Sequence, residues 1–286
     1  MAITDTDVAT GGLGYAIADA IIQFNKANVF FNLVSTKLVS SGAIYGRFPV
    51  YTKVAASSVT ENAAGAEGAD TSATDITTTP VDIEVLRYSI RADVTDLASD
   101  GNADNLFGNS GLVLGNAVAA KFDRTVYADM SASIASTVGT GSVGLTLDVI
   151  YDGIQTLKNE GVAGPYSAVL NPRQIWGTNG ISSELISSGN AVNPVGSEMI
   201  TNGYVSNLAG VNIYYTDQIG AADYGVLFGK DAQGVAYKDM AGNGTFIAGE
   251  QSRNAEGALT KIVANGYFST DQLNASSSVM LITKLA

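Results

Sequence analysis

Between residues 108 and 140 the apolar positions repeat at helical spacing. Leu114, Val118, Phe122, Val126, Met130 and Ile134 recur every four residues, and Val113, Ala117 and Ala120 widen the stripe to a face. The pattern predicts one helix over 108–140, capped by Asn109 or Ser110 and stopped by Gly139 with Gly141. About thirty residues at 1.5 Å each make a rod of roughly 45 Å, more than most domains bury unaided.

The rest of the chain is organised around that rod. Leu13, Ile17, Ile21 and Phe24 give a short amphipathic helix over 13–26, and VFFNLVSTKLV after it reads as a helical turn or an extended piece. Residues 43–54 alternate with period two: Ile44, Phe48, Val50 and Val54 on one side, Tyr45, Arg47, Tyr51 and Lys53 on the other. Pro49 assigns this strand to a sheet edge. Residues 55–74 are a low-complexity loop, and 75–94 form the return strand. Val81, Ile83 and Val85 share one parity and Leu86, Tyr88, Ile90 and Val94 the other, which places a bulge or bend near 85–86.

Further along, LTLDVIYDGIQTLKNE (145–160) is a helix capped by Thr146, buried through Val149, Ile150, Ile154 and Leu157, and ended by Gly161. YSAVLNPRQIW (166–176) reads as strand, Asn-Pro break and helix start, with Trp176 in the core. Residues 177–203 read as loop and 211–219 as a strand. Residues 224–238 read as a hairpin turned at 231–234, and 258–273 and 277–285 as closing strands. The order is α+β, without internal repeats.

Composition narrows the function. The chain has 286 residues, 46% hydrophobic but only 15% charged, well under the usual quarter. At a mean hydropathy of +0.17, polarity rests on Gly, Ser, Thr and Asn, a neutral surface suited to being covered by protein. A net charge of −12 excludes a phosphate-neutralising nucleic-acid binder. No run approaches the roughly twenty apolar residues of a membrane span, and MAITDTDVATGG lacks the basic start of a signal peptide, so a cytoplasmic origin is expected.

Chemistry is sparse. The chain has no Cys and no His, which removes thiolate nucleophiles, disulfides and the commonest general base and metal ligand. GGLG (11–14) and GTGSVG (139–144) lack the strand–loop–helix setting of phosphate-binding loops. Asp93, Asp96, Asp100 and Asp104 lack the spacing of a calcium loop and read as helix N-terminal charge. Three Tyr between 204 and 217 read as strand packing, with sugar stacking as the other use. No catalytic group, cofactor or metal site is expected, and the chain is not expected to be an enzyme. One pattern remains. The charged residues of 55–86 are all acidic (Glu61, Glu67, Asp70, Asp75, Asp82, Glu84), whereas the stem carries Arg47, Lys53, Arg87 and Arg91. An acidic tip and basic stem on a ribbon too thin to stand alone predict contact with another copy through Arg47, Lys53, Glu61, Glu67, Asp70, Arg87 and Arg91; a solvated loop is the plainer reading.

On AVAAKFDRTVYADM (117–130), on 145–176 and on the order of elements, the chain resembles the tailed-bacteriophage major capsid protein of the HK97 fold. The resemblance implies an N-terminal arm (1–42) and an extended hairpin loop (43–94). It also implies a peripheral domain (95–144 and 245–286) carrying the spine helix, and an axial domain (145–244). It implies self-assembly into hexamers and pentamers of an icosahedral shell enclosing double-stranded DNA, built in the host bacterial cytoplasm. The implied partners are a portal protein, a separate scaffolding protein, since only about forty residues precede the hairpin, and in some shells a cement protein. An encapsulin-type nanocompartment shell shares these features. A reading of another class, an exported surface or glycan-binding β-rich protein, fits the Gly, Thr and Asn content.

Overall fold

The computed structural model describes residues 28–51, 54, 56–59, 75–101, 106–187, 206–240, 242 and 246–285. The expected helix over 13–26, the GGLG motif and nearly all of the 55–74 loop lie outside them. In chain order the elements are β1 (Ser35–Leu38), β2 (Tyr45–Tyr51), β3 (Thr78–Glu84), β4 (Leu86–Thr95), α1 (Asp96–Gly101) and α2 (Leu106–Ser133). Then come β5 (Ser136–Gly139), α3 (Leu147–Asn159), β6 (Tyr166–Leu170), α4 (Pro172–Trp176) and α5 (Ile181–Ser187). The chain closes with β7 (Asn207–Leu208), β8 (Val211–Tyr215), β9 (Gly225–Gly229), β10 (Gln233–Tyr237), β11 (Ile247–Asn254), β12 (Leu259–Gln272) and β13 (Ser278–Ile282). The architecture is mixed α+β.

Two sheets carry the two main cores. In the first, β12 is central: β4 pairs along one side, and β11 and β10 along the other, with β1 parallel to β10. Helix α2 lies across it. Leu114, Val118, Phe122, Val126 and Met130 are all buried against Val94, Ile262, Ala264 and Phe268. The second sheet runs β5-β13-β9-β6-β8-β7. Strands β6 and β9 are buried nearly throughout, as strands covered on both faces must be. Helix α3 covers one face as its stripe predicts, with Val149, Ile150, Ile154 and Leu157 buried, the Thr146 side chain accepting from Val149 N, and Gly161 at φ +73° beyond its end.

The structure corrects several expectations. Helix α2 stops at Ser133, not near 140. Residues 136–139 instead add a strand parallel to β13, and Gln272 Nε2 donates to the Ser133 carbonyl. Helical periodicity ends where Thr137 and Val138 meet a strand distant in sequence. Asn109 and Ser110 fall inside the helix instead of capping it, and Val113 is exposed. The phase change at 85–86 is a change of partner, not a bulge within one ribbon: β3 pairs β2, whereas β4 pairs β12. The 224–238 hairpin does not form. A 3-10 turn at Lys230–Ala232 passes the chain from β9 in one sheet to β10 in the other, because both strands are buried and each needs neighbours on two sides. Helix α5, placed in an expected loop, buries Ile181 and Leu185 four residues apart. Trp176 is 45% exposed instead of core.

Candidate subunit-contact surfaces

The β2–β3 ribbon is a two-stranded sheet of its own. Its register sets Pro49 opposite Pro80, and because Val85 N donates to the Ile44 carbonyl, alternation along the ladder puts this pair at a non-hydrogen-bonded position where neither strand needs an amide donor. Burial alternates along β2 as the sequence predicts: Gly46 and Phe48 face in, and Tyr45, Arg47 and Tyr51 face out. The root is held by a small core of Val39, Phe48, Ile83 and Ala236. Gly46 sits so close to β10 that a Cβ there would lie 2.7 Å from the Ala236 Cβ. Glycine at 46 therefore sets the angle at which the ribbon leaves the body.

Arg47 forks onto Asp82 across the ribbon, Nε to Oδ1 at 2.7 Å and Nη2 to Oδ2 at 2.8 Å. The Asp82 carboxyl is held below the usual range, first by that hydrogen bond. Both groups are solvent-exposed, so the pair fixes register more than it stabilises. Lys37 Nζ donates to the Arg47 carbonyl at 2.5 Å. On β4, Arg91 pairs with Asp93 at 2.9 Å, and Arg87 donates to Ser89 Oγ, which reaches Asn265 Oδ1. Two of the three described stem cations are thus already matched by carboxylates of this chain, Arg47 by Asp82 on the facing strand β3 and Arg91 by Asp93 on its own strand; among the described residues Arg87 has no salt bridge. Lys53, Glu61, Glu67 and Asp70 lie outside the described residues. On β4, Arg87, Ser89, Arg91 and Asp93 share the exposed face, opposite the half-buried Tyr88, Ile90 and Ala92 that pack toward α2. Asp96 opens α1 and pairs with Arg253.

Apolar side chains remain uncovered along the ribbon: Tyr51 at 66%, Val59 at 77% and Ile76 at 68% exposure, with Ile44, Tyr45 and Val54. A second patch joins Trp176 and Tyr215, both exposed, whose rings meet edge to face at 4.8 Å. Single exposed apolar residues are ordinary, but contiguous groups mark contact surfaces.

A groove of about 500 Å³ runs between α2 and the loop after β8, lined by Arg124, Tyr127, Asp217, Asp223, Tyr224 and Met280 among others. Tyr127 donates to the Tyr224 carbonyl at 2.7 Å, and burial pushes its hydroxyl up to about 12. The lining includes carboxylates and a guanidinium but no nucleophile paired with a base. Among the described residues no cluster of metal-ligating side chains occurs, and no helix is long and apolar enough to cross a membrane.

Two buried polar residues escaped the sequence reading. Asp123, 1% exposed in the middle of α2, accepts from the backbone N–H of Val29 and Phe30. Gln174, fully buried, bridges α4, β9 and β13. Both stand in stretches singled out for their apolar pattern, where a lone Asp or Gln reads as a solvent-facing position.

No family model matches the chain, and no curated relative matches it. Solved structures do. The capsid of the cyanophage P-SCSP1u is 14% identical, covers 91% of this chain and 89% of its own, and has a TM-score of 0.67. The capsid of Ralstonia phage GP4 is 11% identical over 91% and 92%, also at 0.67. The virus-like particle from Pyrococcus furiosus is 13% identical over 93% and 97%, at 0.58. The chain has the fold of these shell subunits along nearly its whole described length.

Proposed function

We propose that this chain is the major structural subunit of an icosahedral bacteriophage capsid, assembling through hexamers and pentamers around double-stranded DNA. The observation that carries this reading is end-to-end similarity in fold to phage capsids, with about nine-tenths of each chain matched. The net charge of −12 agrees with a container that does not grip its nucleic acid. The uncovered ribbon and the Trp176–Tyr215 patch supply surfaces for neighbours. The role is structural and not enzymatic.

In this reading α2 is the spine helix and the first sheet the peripheral domain, the second sheet with α3–α5 is the axial domain, residues 43–94 the extended loop and 1–42 the arm. Dividing by sheet membership would take β1, β4 and β10 with the peripheral domain and β5 and β13 with the axial domain. Arg87 is the stem cation best placed for a neighbour's acidic loop carrying Glu61, Glu67 and Asp70; Arg47 and Arg91 already pair with Asp82 and Asp93 of this chain, and Lys53 joins the contact from the ribbon. The proposed partners are other copies of the chain, a portal protein, a separate scaffolding protein and, in a decorated shell, a cement protein. The proposed location is the virion, after assembly in the host cytoplasm.

The test is negative-stain electron microscopy with mass photometry of the purified chain, intact and lacking residues 55–74. Shells or capsomers from the intact chain and a folded, non-assembling deletion variant are expected. A strictly monomeric intact chain at high concentration overturns the reading. The likeness to the virus-like particle from Pyrococcus furiosus supports a second reading, a nanocompartment shell; enclosed protein in place of nucleic acid would favour it.

A further inference from the structure

Strand β4 has one partner. It pairs β12 in an unbroken register from Thr95 opposite Leu259 to Leu86 opposite Phe268, and among the described residues no strand lies along its other side. Neighbouring bonds fix which backbone groups face that open edge. Asp96 N donates to the Ala258 carbonyl at the next position of the same register, and Tyr267 N turns the other way, to the Phe246 carbonyl just before β11. Leu86, Tyr88, Ile90, Ala92 and Val94 therefore direct their N–H and C=O groups to β12, whereas Arg87, Ser89, Arg91 and Asp93 turn theirs to the open edge. These last four residues are exposed, and the strand holds no Pro. A straight, unbulged edge of this kind is a template for another strand.

The charges on the edge are self-complementary in one register. An antiparallel copy of β4 can hydrogen-bond here only where outward-facing residues meet each other. With the two-fold axis at Ser89, Arg87 faces Arg91; with the axis at Arg91, that residue faces itself. An axis at Ala92 sets Arg91 against Asp93 but leaves Arg87 facing α1. With the axis at Ile90, Arg87 of each copy faces Asp93 of the other, Ser89 faces Arg91, and Tyr88 faces Ala92. Asp93 accepts from Arg91 Nε through Oδ1, and a carboxylate has lone pairs for a second guanidinium. Arg87 Nε donates to Ser89 Oγ, so its Nη groups can serve both an Asp93 across the axis and a loop carboxylate of a further neighbour.

We propose that β4 is a homotypic docking edge: two copies of this chain pair their β4 strands antiparallel across a two-fold axis at Ile90, with Arg87 of each copy against Asp93 of the other. The contact is isologous, so it closes on two copies. It does not rest on the shell reading, since two free chains can make it.

The chain contains no Cys, so introduced cysteines report the register. Across the axis the two Ile90 Cα atoms sit about 4.5 Å apart, whereas the two Ala92 Cα atoms are offset by four residues, about 13 Å, beyond the reach of a disulfide. Ile90→Cys and Ala92→Cys are made in the full-length chain, oxidised and read on non-reducing gels. A disulfide-linked dimer is expected from Ile90→Cys and none from Ala92→Cys. Arg87→Asp added to Ile90→Cys should lower cross-linking about tenfold, as two ion pairs become like-charge pairs, and Asp93→Arg added in turn should restore it. No cross-link at Ile90, equal yields at both positions, or a yield indifferent to Arg87→Asp overturns the pairing. If Ile90→Cys does not fold, Ser89→Cys and Arg91→Cys, both on the exposed face, are mixed. The linked dimer should form in the mixture and from neither alone; a mixture that stays unlinked overturns the pairing. Shells that form without the cross-link overturn this pairing alone, and a cross-linked dimer that never assembles further supports the pairing while overturning the shell reading.

Discussion

Replacing Gln174 by Leu tests whether the Asn-Pro-Arg-Gln unit is a structural knot or only a helix start. Gln174 is fully buried and satisfies both ends of its amide. Its Oε1 accepts from Gly225 N at 2.7 Å and Asn171 N at 3.2 Å, while Nε2 donates to the Leu281 carbonyl at 2.9 Å and Thr283 Oγ1 at 2.8 Å. Leucine fills similar space but leaves two buried N–H groups without this acceptor, at about 1–3 kcal/mol each. Thr283 can turn its hydroxyl elsewhere. Burying the leucine returns about 1–2 kcal/mol, so the net loss should be about 3 kcal/mol. At roughly 2–4 °C per kcal/mol for a chain of this size, the melting midpoint should drop by roughly 6–12 °C. Thermal unfolding of the unassembled chain, followed by far-ultraviolet circular dichroism, measures the midpoint, and urea unfolding the free-energy loss. Gln174→Glu is the informative companion. It keeps both acceptors, loses both donors and buries a carboxylate whose pKa burial must raise. Its deficit should therefore shrink as the pH falls and a proton again becomes available to the Leu281 carbonyl. A loss below about 1 kcal/mol in Gln174→Leu would refute the claim that this side chain ties α4, β9 and β13 together.

Gly46→Val should push the ribbon off Ala236 at a cost of about 1–3 kcal/mol of overpacking, leaving the body folded but assembly impaired; normal particles by electron microscopy would show that the ribbon's exit angle does not matter. Phe122→Ala removes a ring that meets Phe31, Phe246 and Phe268 at centroid distances of 5.1–5.9 Å, and should cost about 3–5 kcal/mol in chemical denaturation. Met130→Pro, within α2 and fully buried, should cost about 3 kcal/mol or more and abolish soluble folded protein. Trp176→Ser should leave the melting midpoint within a few degrees, because the ring is half exposed, yet lower shell yield; an unchanged yield would mean that the Trp176–Tyr215 patch stays uncovered in the particle.

Periodic patterns carried most of the local structure. The stripe of Val149, Ile150, Ile154 and Leu157 with Thr146 as cap yields α3 nearly to the residue. The alternation from Ile44 to Tyr51 places Phe48 inward and Arg47 outward. The strand, Asn-Pro break and helix start of residues 166–176 form as read, and the structure adds that Asn171 is the helix cap, accepting from Arg173 N. The layout was also legible enough to show a resemblance to the capsid fold that the solved structures bear out. Charge was read less well. The acidic and basic segregation of the hairpin is real in the sequence, yet Asp82 neutralises Arg47 in place, and no count of charges reveals a partner 35 positions away.

What the sequence by itself determined about this protein is which segments are helical or extended and which of their faces are apolar, because those depend on residues within a turn or two of one another. The tertiary structure alone decided where α2 ends, which sheet receives β9 and which β10, and that β3 and β4 part at Val85. It also decided that Asp123 and Gln174 are buried and Trp176 is not. Each of these outcomes is set by a contact between residues far apart in the chain: β13 pairing β5, β12 pairing β4, and Val29 reaching Asp123. A short window reports a residue's own preference for strand, helix or water. The free energy that overrides that preference comes from the strand or backbone amide that folding brings against it.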